Sequence, residues 1–159
     1  MSYDDVKRDS GLFFRLKIRF ARILITNFPL NSVRIRALKL CGFKVGKKVY
    51  IGPGLIVTMF NSRSDCHLEI GDRVSIGPRV TLVLSSNSNW SRLNEFIKPK
   101  EGKIVLEDDC WLGAGVIVLP DITIGKMSAV GAGAVVTEDT EPYFLYAGVP
   151  ARKIRKLEN

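Results

Sequence analysis

The sequence predicts an all-β fold: a parallel β-helix of six-residue repeats, with short helices before it and a short helix after it. Three observations predict this. Aliphatic residues recur every six positions at Leu106, Leu112, Val118, Ile124, Val130 and Val136, a beat that ordinary strand alternation does not have. Small or branched residues keep step with it, with Gly113, Gly125 and Gly131 one position on and Cys110, Val116, Ile122, Ser128 and Ala134 four positions on. The same phase runs earlier, through Ile70-Gly71, Ile76-Gly77 and Leu82, and before that through Val45-Gly46, Val49, Ile51-Gly52 and Leu55. A short repeat of fixed period is the mark of a solenoid.

Each element follows from its residues. Residues 1–44 read as a basic helical segment. Within it, Leu12 to Ile25 has the pattern of an amphipathic helix. Phe13, Leu16, Phe20 and Leu24 form its apolar stripe, Ile23 lies alongside, and Arg15, Lys17, Arg19 and Arg22 occupy the rest. Pro29 ends it. Asn31 or Ser32 can cap a second helix over Val33 to Cys41, and Gly42 suits its C-terminus. Residues 45–151 are the solenoid. Each hexad is one short strand and a corner, and a glycine or small polar residue permits the corner. Three hexads make one roughly triangular coil. A single coil cannot bury its own apolar face, so coils stack and place Ile70, Leu106 and Ile124 in one column. The beat breaks after Leu82 and resumes at Leu106, which leaves a protruding loop over residues 88–105. Trp90 and Phe96 anchor it and favour a binding role. Residues 152–159 read as a C-terminal helix, with Ile154 and Leu157 among Arg152, Lys153, Arg155 and Lys156.

The chain has 159 residues, 24 Lys plus Arg and 16 Asp plus Glu, for a net charge of +8. Up to Lys48 there are 12 basic and three acidic residues; from Val49 onward there are 12 and 13. The positive excess is thus confined to the N-terminal segment. It has two readings that can coexist: it docks its apolar stripe on the prism or a neighbouring subunit and caps the first coil, or it lies on an anionic membrane with its apolar side down. Nucleic acid is not expected as a partner, because no recognition motif accompanies the charge. An apolar content of 46% excludes a disordered tail. No stretch reaches the roughly 18 apolar residues of a membrane span. Met1-Ser2-Tyr3-Asp4-Asp5 does not open a secretory leader. Cys41, Cys66 and Cys110 are odd in number, far apart and free of CxxC spacing, which fits a reducing compartment. The expected location is the cytoplasm, or its membrane face if the helix touches lipid. The single histidine, His67, excludes any mechanism that needs two histidines from one chain.

Several segments together resemble one family. They are Leu68-Glu69-Ile70-Gly71-Asp72-Arg73-Val74-Ser75-Ile76-Gly77-Pro78, Asp108-Asp109-Cys110-Trp111-Leu112-Gly113-Ala114-Gly115-Val116, Ile124-Gly125, Val130-Gly131-Ala132-Gly133-Ala134-Val135-Val136-Thr137 and Ala147-Gly148-Val149-Pro150-Ala151. The chain resembles the left-handed β-helix acyltransferases, closest to the galactoside, maltose and polysaccharide O-acetyltransferases. The left hand of the coil comes from this resemblance, since the general crossover rule favours the other hand. The resemblance implies acetyl transfer from acetyl-CoA to a saccharide hydroxyl without a metal. A surface-polysaccharide precursor is the acceptor class it suggests. It also implies a homotrimer with sites between neighbouring prisms.

By the same resemblance, Trp111, Ala114, Ala132 and Thr137 line the cofactor groove, where small residues let the pantetheine arm lie against backbone. Arg152 and Arg155 approach the nucleotide and its phosphate, which suits the guanidinium fork. Asp65 falls at a substrate-binding position, where a carboxylate accepts from sugar hydroxyls. Two positions depart from the pattern. Glu138 replaces a usual lysine, and Asn87 occupies the place of the catalytic histidine. Asparagine can donate to an oxyanion but cannot take a proton near neutral pH. Three readings follow: His67 or Asp65 is the base, proximity alone drives transfer, or the protein binds CoA or a sugar without catalysis. A chloramphenicol-type xenobiotic acetyltransferase is a further alternative on the same fold. The zinc-dependent γ-carbonic anhydrases share the fold but need two histidines from one chain.

Overall fold

The computed structural model describes residues 12–58 and 67–158. Helices α1 (Leu12–Asn27) and α2 (Asn31–Leu40) come first. Fourteen short strands and a terminal hairpin pair follow. One parallel sheet, face A, holds β1 (Lys44–Val45), β4 (Leu68–Ile70), β9 (Ile104–Leu106) and β12 (Ile122–Ile124). Face B holds β2 (Tyr50–Ile51), β5 (Ser75–Ile76), β10 (Trp111–Leu112), β13 (Ala129–Val130) and β15 (Phe144–Ala147), with β16 (Arg152–Lys156) at its edge. Face C holds β3 (Ile56–Thr58), β6 (Thr81–Val83), β11 (Ile117–Val118) and β14 (Val135–Val136). A hairpin of β7 (Ser85–Ser86) and β8 (Lys100–Glu101) stands apart.

The chain visits faces A, B and C in turn. Trp111 pairs with Ala129, Ile117 with Val135 and Ile104 with Ile122, each eighteen positions on. Three hexads per coil is therefore the observed period. The aliphatic columns of the repeat are the core: Ile51, Ile76, Leu82, Leu106, Leu112, Val118 and Ile124 are fully buried. Cys110 is buried among them, and burial pushes its thiol up to about 12. A thiol held neutral and covered does not react. Iodoacetamide at about pH 8 should therefore leave Cys110 unlabelled in the native protein and label it in denaturant, read by peptide mass mapping.

The glycines after each aliphatic serve a different purpose from the one expected. They are not the left-handed corner residues. A Cβ on Gly113 would lie 2.6 Å from the Ala132 nitrogen, so the next coil occupies that space. The left-handed position comes two residues later, at Gly115 (φ 67°) and Gly133 (φ 69°), and elsewhere at Arg73, Asp109 and Met127.

Three further expectations are corrected. The strand after the protruding loop starts at Ile104 rather than Leu106, because Ile104 and Leu106 repeat the inward pair Leu68 and Ile70. The loop is drawn in at its base by the β7–β8 hairpin. The expected C-terminal helix is a strand: β16 lies antiparallel on β15, from Phe144↔Lys156 to Ala147↔Arg152. The outer edge of β15 offers unpaired backbone groups, and a turn at 148–151 folds the chain back onto them. Lys153 lies 4.2 Å over the Phe144 ring and pairs with Glu141. The exposed basic side chains of β16 discourage further strand addition at that edge.

The third correction concerns the helices. Helix α2 has no side-chain cap; its N-cap residue is Leu30. Asn31 is used differently. Its Nδ2 donates to the Val49 carbonyl (2.9 Å) and its Oδ1 accepts from Ile51 N–H (2.9 Å), as a neighbouring strand would. Arg34 is 3% exposed and donates to the carbonyls of Ile51, Phe28 and Pro29. Thr26 Oγ1 donates to Leu55 O, and Gly54 N–H donates to Thr26 O. The two helices thus cover the open end of the first coil. Helix α1 docks through Ile18, Ala21 and Ile25, with Leu24 of the expected stripe half-buried against the core; Leu16 and Phe20 of that stripe, and Ile23 alongside it, are exposed, and the Phe13 side chain lies outside the described residues. Among the described residues, no helix is long and apolar enough to cross a membrane.

Candidate functional site

The corner from face B to face C carries a column of small residues. Gly115 N–H donates to Pro78 O (2.9 Å) and Gly133 N–H to Ala114 O (2.8 Å). These bonds stack Pro78, Ala114 and Ala132, and both alanines are exposed. Trp111 stands on face B between Ser75 and Ala129, with its side chain 56% exposed. Thr137 is exposed at the far edge of face C, directly after Val136, with exposed Glu138 next. The turn after β15 attaches to the same strand, since Val135 N–H donates to Gly148 O (3.1 Å) and Ala151 N–H to Val135 O (2.8 Å). This brings Arg152 to the end of the small-residue column. Arg155 is further along β16, opposite Leu145, and both arginines are exposed. The B–C corner therefore gathers Ala114, Ala132 and Arg152, with Trp111 on the adjoining face and Thr137 across face C in the last coil.

Asn87 and His67 lie at the opposite edge of face C, in lower coils. Asn87 begins the protruding loop, and its Oδ1 accepts from Asn89 N–H at 2.6 Å. The carboxamide oxygen is thus used to turn the loop, which leaves Nδ2 as a donor. His67 is exposed, and its carbonyl accepts from Ile104 N–H (2.9 Å). Gly102 N–H donates to Leu84 O (3.0 Å), so His67 and the loop stem flank the same segment, 102–104. Asp65 lies outside the described residues. Within one chain, face C separates the alanine column from Asn87 and His67.

Most acidic groups on face A and its corner hold the coils together. Asp72 Oδ1 accepts from Lys47 N–H, Asp108 Oδ1 from Asp72 N–H, and Glu107 Oε2 from Lys126 N–H, each at 2.7 Å. Arg73 grips Asp109 with two bonds of 2.6 and 2.7 Å, which lowers the Asp109 carboxyl and raises the guanidinium. Glu69 sits between Lys44 and Lys103, both at 2.9 Å, and their hydrogen bonds hold its carboxyl at about 2. A shallow groove of about 470 Å³ on this face includes Lys44, Glu69, Glu107 and Lys126. Its carboxylates already accept from neighbouring groups, so it is a weak candidate for chemistry. Among the described residues, no three His, Cys, Asp or Glu side chains are grouped to hold a metal.

Lys103, which the spacing alone places inside the loop, stands between His67 and the Asn87 loop, with its ammonium 2.9 Å from Glu69. The inward pair Ile104 and Leu106, matching Leu68 and Ile70, was the available signal.

The bacterial transferase hexapeptide (six repeats) family matches residues 103–138. The galactoside O-acetyltransferase of Lactococcus lactis is 35% identical over 116 residues, 72% of this chain and 56% of that protein. The Escherichia coli galactoside O-acetyltransferase is 34% identical over 119 residues, 74% of this chain and 58% of that protein. A hexapeptide-repeat acetyltransferase from Vibrio cholerae superposes with a TM-score of 0.68 at 26% identity, covering 95% of this chain and 96% of that one. The chain carries the transferase hexapeptide repeat and is similar to these acetyltransferases along its solenoid. It spans about half the length of the curated relatives it matches. The matched hexapeptide segment contains Trp111, Ala114, Ala132 and Thr137, so the column of small residues is part of that repeat itself.

Proposed function

We propose that this chain is a hexapeptide-repeat acyltransferase that moves an acetyl group from acetyl-CoA to a saccharide hydroxyl. The observation that carries the reading is the exposed column of Ala114 and Ala132, running between Trp111 and Arg152. A column without bulky side chains admits a flexible arm close to backbone carbonyls and N–H groups. Trp111 supplies an apolar wall, and Thr137 a hydroxyl at the far edge. Arg152 and Arg155 supply forks for phosphate oxygens. The Vibrio cholerae neighbour has been solved with acetyl-coenzyme A, which supports the same cofactor here. In this reading the coil is left-handed, three chains assemble side by side, and the groove of one prism meets the Asn87 edge of the next. The enzyme works in the cytoplasm on a polysaccharide precursor, with Asp65 accepting from the sugar.

The chemistry then follows from the residues. The acceptor oxygen attacks the thioester carbonyl and forms a C–O bond as its proton passes to His67. The tetrahedral oxyanion accepts a hydrogen bond from Asn87 Nδ2. Collapse breaks the C–S bond, and the departing thiolate takes the proton back from His67. The acetyl ester and free CoA remain. A second reading rests on the Asn87 oxygen being used in its own loop: the protein binds CoA without catalysis.

Release of free thiol from acetyl-CoA across a panel of sugars and chloramphenicol distinguishes these readings. We expect turnover with a saccharide. His67→Ala should lower kcat by about 10²-fold, the typical worth of a general base, with CoA binding retained. Asn87→His should raise kcat. CoA binding with no turnover on any acceptor selects the binding protein, and turnover only on the antibiotic selects the xenobiotic enzyme.

A further inference from the structure

Helix α1 has two opposed apolar faces. At 100° per residue, Ile18, Ala21 and Ile25 share one line and are 8%, 1% and 2% exposed against the first coil. Leu16, Phe20 and Ile23 share the line on the opposite side and are 50%, 62% and 58% exposed. A helix that only capped the prism would be polar on its outer side. Exposed Lys17 flanks the outer stripe on one side, with Arg19 and Arg22 on the other. The outer face of α2 adds exposed Arg36, Lys39 and Leu40. The charge on the two helices has one sign: Lys17, Arg19, Arg22, Arg36 and Lys39 are exposed, and neither helix has an acidic residue.

We infer that the outer face of α1 lies in the plane of an anionic lipid surface. Leu16, Phe20 and Ile23 enter the boundary between headgroups and acyl chains, while Lys17, Arg19 and Arg22 reach sideways to anionic headgroups. Long cationic stems beside an apolar line suit that geometry, because they keep their charge at the interface while covering hydrocarbon. A second copy of the same face is a poorer occupant, because it sets one all-basic rim against another. The docking side of α1 remains on the prism throughout, so the bound helix keeps the first coil covered. The prism then stands on the membrane by its N-terminal end.

The test is flotation of the purified full chain with phosphatidylcholine vesicles, with and without about 30% phosphatidylglycerol. We expect binding to the anionic vesicles only, with release at about 0.5 M salt. Phe20→Ser with Ile23→Ser should weaken binding by about tenfold or more, with the melting temperature unchanged because both side chains are exposed. Lys17→Gln with Arg19→Gln should weaken it by about fivefold per charge removed. Absence of wild-type binding to anionic vesicles overturns the inference, as does equal binding by the Phe20/Ile23 variant. Loss of the native oligomer in that variant also overturns it, since the stripe then belongs to a subunit contact.

Discussion

Arg34→Leu is expected to destabilise the protein by about 3 kcal/mol or more, because several charge-assisted hydrogen bonds at about 1.5–3 kcal/mol each are lost together. The Arg34 guanidinium donates from Nε (3.1 Å) and Nη2 (2.7 Å) to the Ile51 carbonyl. Its Nη1 reaches Pro29 O at 3.0 Å and also Phe28 O at 2.5 Å. Ile51 is in the first strand of face B, and Phe28 and Pro29 join the two helices. One side chain therefore binds the helical cap to the open end of the solenoid. Leucine fills part of the volume but leaves the carbonyls without donors in a buried place. Thermal unfolding followed by circular dichroism should show a fall of about 10 °C, at roughly 2–4 °C per kcal/mol for a domain of this size. Arg34→Lys should recover only part of it, since one ammonium cannot span the fork.

Gly113→Ala is the second large effect, expected at about 3 kcal/mol. The added methyl would meet Ala132 N at 2.6 Å, Ala132 Cα at 3.0 Å and Val130 O at 3.0 Å. All three are backbone atoms of the next coil. The ladder that sets their distance includes Gly113 N–H to Val130 O at 2.8 Å, so the coils cannot part without breaking it. Gly115→Ala is the control. Its methyl has nothing within 4 Å, and its cost is limited to the left-handed backbone at φ 67°, about 1–2 kcal/mol. Denaturant midpoints of the two variants should therefore separate clearly. If Gly115→Ala is the more damaging, the interlayer role of Gly113 is wrong. Because both positions lie in the proposed cofactor corner, their stability should be measured before any loss of activity is interpreted.

The core was legible because the six-residue beat and the burial have the same cause. An aliphatic residue in every hexad must face the axis of the prism, so Leu106, Leu112, Val118 and Ile124 could be placed from spacing alone. The candidate site was legible only through the resemblance, because Ala114 and Ala132 are undistinguished as residues. Their importance lies in being stacked, and stacking depends on hydrogen bonds between coils. Lys103 was missed because one loop obscured the phase of its strand. The basic cluster at 152–156 was misread as a helix because its charges fit a helix end as well as a strand edge. The free edge of β15 chose between them.

Period, coil size, the columns of the core and the confinement of charge to the N-terminal third were determined by the sequence by itself. These are properties of local pattern, and each hexad repeats them. The tertiary structure alone decided which stripe of α1 docks. Leu16, Phe20 and Ile23 are as apolar as Ile18, Ala21 and Ile25, and hydrophobicity does not rank them. The choice follows from how the helix is held: Arg34, Asn31 and Thr26 bond to particular backbone atoms of the first coil, and those bonds orient the pair of helices. A directional constraint from distant residues selected between two equivalent faces, and it left the second one outward.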